Sequence, residues 1–138
     1  MLRLVYTLAV ATWLGTLVCL TFVVTPTAHG SFTAAEARRL LRPLFPRCYA
    51  LGIACGFAAL GAVALGRASL PDAAVLRLAL PPAAALLATV VGRQVVLPQL
   101  RRLDGDDPRF ARWHQASTML SGTALGALVL ALAAAVTR

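Results

Sequence analysis

Apolar residues in this chain come in four long runs, separated by short segments that hold nearly all of its charge. The first run is Leu4 to Val24, closed by Thr25-Pro26. The second is charge-free from Cys48 to Gly66, and the fourth is charge-free from Gln115 to Thr137. A helix crosses the ~30 Å hydrocarbon core with roughly 20 apolar residues, because it satisfies every backbone polar group within itself. The third run, Leu78 to Leu97, has Pro81-Pro82 near its start and Arg93 about one turn before Pro98. A helix that began at Pro81 would be short for a span. One that begins near Pro71-Asp72 and kinks at the proline pair fits better. Arg93 then lies ~7 Å from the helix end, within snorkelling reach of the headgroups. The predicted architecture is all-α: an integral membrane four-helix bundle forming one transmembrane domain, with spans near 4–26, 46–66, 72–98 and 108–137.

The connecting segments set the predicted orientation. The loop from Thr27 to Arg47 and the loop from Pro98 to His114 share one face, and the termini share the other with the loop from Arg67 to Arg77. Arg38, Arg39, Arg42, Arg47, Arg101, Arg102, Arg109 and Arg112 lie on the first face, against Arg3, Arg67, Arg77 and Arg138 on the second. The positive-inside rule therefore puts both termini outside the cytoplasm. Within the first loop, Thr33-Ala34-Ala35-Glu36 matches a capping box, so a helix should start there. Its wheel gathers Arg38, Arg39 and Arg42 opposite Ala37, Leu40 and Leu41. That suits a short interfacial helix with arginines toward anionic headgroups, or a solvated arginine face whose leucines pack on the bundle. Asp107-Pro108 reads as an N-cap followed by proline at the first helical position. After it, Arg109, Arg112 and Trp113 read as membrane-interface anchors.

Composition narrows the class. Fully 59% of residues are apolar against 13% charged, more than a soluble core of 138 residues can use. The net charge of +8 does not point to nucleic acid, because the arginines sit between apolar runs and form no stripe interleaved with aromatics. Every basic residue is arginine and alanine is abundant, a bias of GC-rich bacterial genomes, so the predicted location is a bacterial inner membrane. The first run is too long for the h-region of a signal peptide, about 7 to 15 residues.

Small residues four apart let helices approach closely in lipid. Gly52 with Gly56, Gly122 with Gly126, and Gly15 with Cys19 mark predicted helix contacts, within one bundle or between copies. A weak internal repeat accompanies them. Val23-Val24-Thr25-Pro26 returns as Val95-Val96-Leu97-Pro98, and Gly52-x-x-x-Gly56 as Gly122-x-x-x-Gly126, as expected of two related helical hairpins.

Chemistry-bearing residues are few. His29, His114 and Arg93 fall near one depth, where two imidazoles could ligate a haem iron and the arginine could pair with an anion. Cys48 and Cys55 share a helix face, with Cys19 deep in the first span, which makes a soft Cu(I) site conceivable; small buried hydrophobes are the plainer reading. The chain holds no nucleophile–base set, HExxH, Walker loop or dinucleotide fingerprint.

Several short motifs do resemble a known family. Trp13-Leu14-Gly15, Val24-Thr25-Pro26, Leu44-Phe45 with Tyr49, Val96-Leu97-Pro98 and Phe110-x-x-Trp113-His114-x-x-Ser117 resemble the small four-span membrane proteins called transmembrane-protein-205-like, also catalogued as a domain of unknown function. The likeness covers nearly the whole chain. It implies the four-span fold, and it places the chain beside proteins linked to platinum-drug resistance and similar in architecture to copper-resistance and haem-linked membrane families. That family has an asparagine near the middle of the last helix, where this chain has Ser121-Gly122. Three function classes follow. The first is a non-enzymatic bundle in the lipid bilayer that associates with itself or with another membrane protein. The second is a haem- or metal-binding redox protein, and the third an exporter of metal or drug.

Overall fold

The computed structural model describes residues 1–137, and among these every regular element is helical. Four helices are long and apolar enough to cross a membrane: α1 (Leu2–Ser31), α2 (Ala34–Gly66), α3 (Asp72–Arg102) and α4 (Pro108–Val136). A 3-10 turn at Arg67–Ser69 closes α2. Arg138, which entered the charge comparison, lies outside the described residues.

Each helix packs on its neighbours in the chain, and α1 closes the ring against α4. The inward stripes recur at three- and four-residue spacing, with Tyr6, Ala9, Val10, Trp13 and Leu17 on α1 and Ala124, Leu128, Ala131 and Ala135 on α4. Alanine dominates this interior, with Ala59, Ala62, Ala85 and Ala88 completing it from α2 and α3. Large side chains point the other way: Phe22, Phe57, Leu65, Leu87, Met119 and Leu130 are all more than 60% exposed. Small inside and large outside inverts the order that water imposes. It is the order expected where lipid wets the surface and close approach of small residues holds the helices together.

The helix ends depart from the sequence expectation in one consistent way. Thr25-Pro26 and Leu97-Pro98 do not end their helices. In both places the chain passes through a π turn, Cys19–Val24 and Gly92–Val96, and then continues as α-helix to Ser31 and to Arg102. The N–H of Thr25 bonds to the carbonyl of Leu20 and that of Leu97 to Gly92, each five residues back. A proline lacks the N–H and crowds the carbonyl four residues earlier, and the wider π turn relieves that crowding without ending the helix. The Thr25 hydroxyl also donates to Leu20, at 2.8 Å. The two Val-Val-x-Pro segments are therefore equivalent in backbone as well as in letters.

The first loop differs as well. Thr33 and Glu36 form the capping box, but the helix they start is not a separate short one. It runs on through Pro43 and Pro46 as the opening turns of α2, a single helix of 33 residues, or ~50 Å. Ala37 and Leu41 bury against Ala28 in a second small core, while Leu40 is exposed. Asp107 caps α4 with Pro108 at its first position, as expected. In α3 the helix begins at Asp72 and carries Pro81-Pro82 inside it.

Candidate functional site

Two kinds of polar arrangement interrupt this apolar bundle, and proline creates part of each. Pro82 cannot donate to the carbonyl of Leu78 four residues before it. The Tyr6 hydroxyl, arriving from α1, donates to that carbonyl at 2.9 Å and lies 3.5 Å from the carbonyl of Ala131 on α4. Pro46 likewise leaves the carbonyl of Arg42 without its helical donor, and the Arg101 guanidinium of α3 donates to it at 3.0 Å. Arg3 donates at 2.7 Å to the carbonyl of Ala135, in the last turn of α4, where the helix dipole favours a cation. Beside Arg3 and Tyr6 is a cavity of about 180 Å³, walled mainly by Leu2, Val63, Leu70 and Leu78.

The opposite, arginine-rich end holds a wider feature. Between the opening turns of α2 and the closing turns of α3 lies a groove of about 430 Å³. Arg42 and Pro46 line one side. Arg93, Gln94, Leu97, Pro98, Arg101 and Arg102 line the other. The ring of Tyr49 covers Gly92 just inside it, since a Cβ at Gly92 would meet the ring and hydroxyl at 3.2 Å.

Of the residues predicted to form one site, Arg93 lies in this groove and the two histidines are not among its lining residues. His29 is exposed on the last turns of α1. His114 is exposed on α4, its ring stacked on Phe110 at 6.1 Å. Cys19 is exposed, Cys48 half-buried and Cys55 buried. Among the described residues no three His, Cys, Asp or Glu side chains come together as a metal set.

The predicted interface arginines divide by role. Arg38 lies directly against Gly105 and over the Phe110 ring, with its guanidinium 6.0 Å from the ring centre, so it joins the start of α2 to the loop between α3 and α4 and to the first turn of α4. Arg109 pairs with Asp107 at 3.1 Å. Arg39 and Arg112 are exposed, Trp113 is half-buried, and Arg42 belongs to the groove.

The predicted packing glycines also divide. A Cβ at Gly52 would sit 2.5 Å from Nε1 of Trp13, and one at Gly56 would sit 2.9 Å from Leu86 and 3.1 Å from the same indole. These glycines seat a buried tryptophan. Gly15, Gly122 and Gly126 meet nothing within 4 Å and face outward.

Sequence reasoning missed Tyr6 and Arg101. The signal that could have exposed them was the pair of intrahelical prolines, each of which frees a carbonyl that some neighbour must satisfy.

Residues 8–109 match the family described as Domain of unknown function (DUF4149), a stretch that includes α1 from Leu8, all of α2 and α3, and the whole groove lining. No curated protein and no solved structure matches the chain.

Proposed function

The chain belongs to that family of unknown function, and from this premise we propose that it is a non-enzymatic membrane bundle that works by lateral association, with a second copy or with another membrane protein. One observation carries the reading. The bundle fills Gly52 and Gly56 from within, whereas Gly122 and Gly126 leave a small-residue stripe on the outer face of α4, opposite Ala124 and Leu128. In lipid such a stripe permits close helix approach. The hydroxyls near it, Thr118 and Thr123, bond to their own helix carbonyls at His114 and Met119, so the face has little polar demand of its own. The excess of arginine on the two loops supports an orientation with both termini outside the cytoplasm. The recurrence of the π turn supports two related hairpins, α1–α2 and α3–α4.

Cross-linking in native membranes tests the association. Gly126→Cys, in a chain whose own cysteines are replaced by serine or alanine, should give a disulfide-linked or cross-linked species. Phe57→Cys, on the exposed face of α2, should not. Monomer alone from both variants, with no partner captured, would end the proposal. Purified protein with a Soret band or stoichiometric metal would replace it with a cofactor role for His29 and His114.

A further inference from the structure

The groove between α2 and α3 is a strongly charged concavity at the arginine-rich end of the bundle. Arg42, Arg93, Arg101 and Arg102 share it, and no carboxylate is among its lining residues. Acids in neighbouring segments are engaged elsewhere or lie in the loop. Glu36 bonds to Thr33 and Asp107 to Arg109, and the Asp107–Arg109 contact is the only ion pair among the described residues. Arginine keeps its charge at every physiological pH, so the four guanidiniums must find an anion or stay hydrated beside lipid. Arg101 uses one N–H on the Arg42 carbonyl. The remaining donors, with the Gln94 amide, are the planar forked set that matches phosphate oxygens in pairs.

Position selects the source of that phosphate. The charge-free part of α2, Cys48 to Gly66, is about as long as the hydrocarbon core is thick, so Arg47 marks the boundary. Arg42 then lies ~7 Å farther out, at headgroup depth, while Arg93 reaches up from near the boundary. Pro46, Leu97 and Pro98 add apolar walls at the same level. The π turn at Gly92–Val96 contributes Arg93 and Gln94 to the lining, and such turns occur often at functional sites.

We propose that this groove binds the phosphate of one anionic phospholipid, held by Arg42, Arg93 and Arg102 with Gln94, its glycerol and upper acyl chain lying along Pro46, Leu97 and Pro98. The site is independent of the association proposed above.

The full-length protein in detergent is titrated with short-chain phosphatidylglycerol or phosphatidylcholine, with native mass spectrometry as readout, and inorganic phosphate is added as competitor. One phosphatidylglycerol should bind per chain, about tenfold or more tighter than phosphatidylcholine. Arg42→Gln with Arg93→Gln should weaken it by about tenfold to a hundredfold. Arg39→Gln with Arg112→Gln removes the same charge from exposed positions outside the groove and should cost less than about threefold. A helical circular-dichroism signal confirms that each variant is folded, and Arg102→Gln alone gives a milder second test. Equal losses in the two double variants, or equal binding of the two lipids, overturns the site. Displacement of the lipid by inorganic phosphate at matching concentration overturns the lipid as its ligand.

Discussion

The Tyr6 hydroxyl on α1 donates to the carbonyl of Leu78 on α3, the one carbonyl that Pro82 leaves without its helical donor. Tyr6 is only 4% exposed, so the bond is made inside the bundle. A proline within a span is thus tolerated because a neighbouring helix supplies what the backbone lost. Tyr6→Phe keeps the ring and removes the donor. It should destabilise the bundle by about 1–2 kcal/mol. Pro82→Ala restores the helical N–H, so the same Tyr6→Phe change should cost clearly less in that background. Thermal unfolding of the four chains measures the coupling. An identical cost with and without Pro82 would show the two residues to be independent.

Trp13 and its two glycines form the next tight relationship. Gly52→Ala places a methyl 2.5 Å from the indole nitrogen, in a packed interior where neither helix can simply withdraw. Overpacking of this kind typically costs about 1–3 kcal/mol. Gly122→Ala and Gly126→Ala add a methyl in open space and should leave the monomer's stability unchanged or slightly raised, since alanine favours the helix. Trp13 fluorescence should shift for Gly52→Ala and stay put for the α4 variants. Trp13→Phe should recover part of the Gly52→Ala loss by emptying the space the methyl needs.

The two helix caps predict a response to acid. The backbone N–H and hydroxyl of Thr33 hold the Glu36 carboxyl below its usual range, and the Arg109 side chain and backbone do the same for Asp107. A carboxyl whose folded value is lowered stabilises the fold above its unfolded value and loses that contribution as pH falls through the folded one. Both caps should therefore hold at neutral pH and weaken only below about pH 4. Amide signals of Glu36 and Arg109, followed by NMR down the acid limb, read this directly. Thr33→Ala removes the hydroxyl and keeps the backbone N–H, so it should move the Glu36 midpoint only part of the way back toward the ordinary glutamate value. A midpoint already there in the unaltered chain would remove the basis for the prediction.

Much of this fold was legible because lipid imposes one simple demand, an unbroken apolar run of sufficient length, and the runs at Leu4, Cys48, Leu78 and Gln115 announce themselves. Local signals with a fixed mechanism were equally readable, as at Thr33-Glu36 and Asp107-Pro108. Proline was harder. Its meaning depends on whether another helix can satisfy the freed carbonyl, and Tyr6 and Arg101 lie 72 and 59 residues away from the carbonyls they serve. Reading Pro26 and Pro98 as helix ends was reasonable from local rules and wrong in space. The groove was half visible: Arg93 stood out as a charge in an apolar run, but its neighbours Arg42, Arg101 and Arg102 looked like ordinary loop charges until α2 proved to begin at Ala34.

The π turns give a last test, one that separates a structural device from an accident of backbone. A π turn holds one residue more than the same stretch of α-helix needs, so removing that residue should leave the flanking turns facing as before. In α3 this applies to Gln94, which is exposed within Gly92–Val96, with buried Ala88 and Thr89 on one side and the end of the helix on the other. Deleting Gln94 alone returns the segment to α register and brings Pro98 against a carbonyl again, a clash of about 3 kcal/mol. Deleting Gln94 together with Pro98→Ala removes the clash, so that chain should fold with nearly the helical content of the parent. Deleting Ala84, an exposed residue in plain α-helix, rotates everything beyond it by about 100° and carries Thr89 and Gly92 out of the core. The expected order of stability is the paired change first, the Gln94 deletion second and the Ala84 deletion last, read by thermal unfolding in detergent. Equal losses from the Gln94 and Ala84 deletions would mean that the turn at Gly92–Val96 has no spare residue.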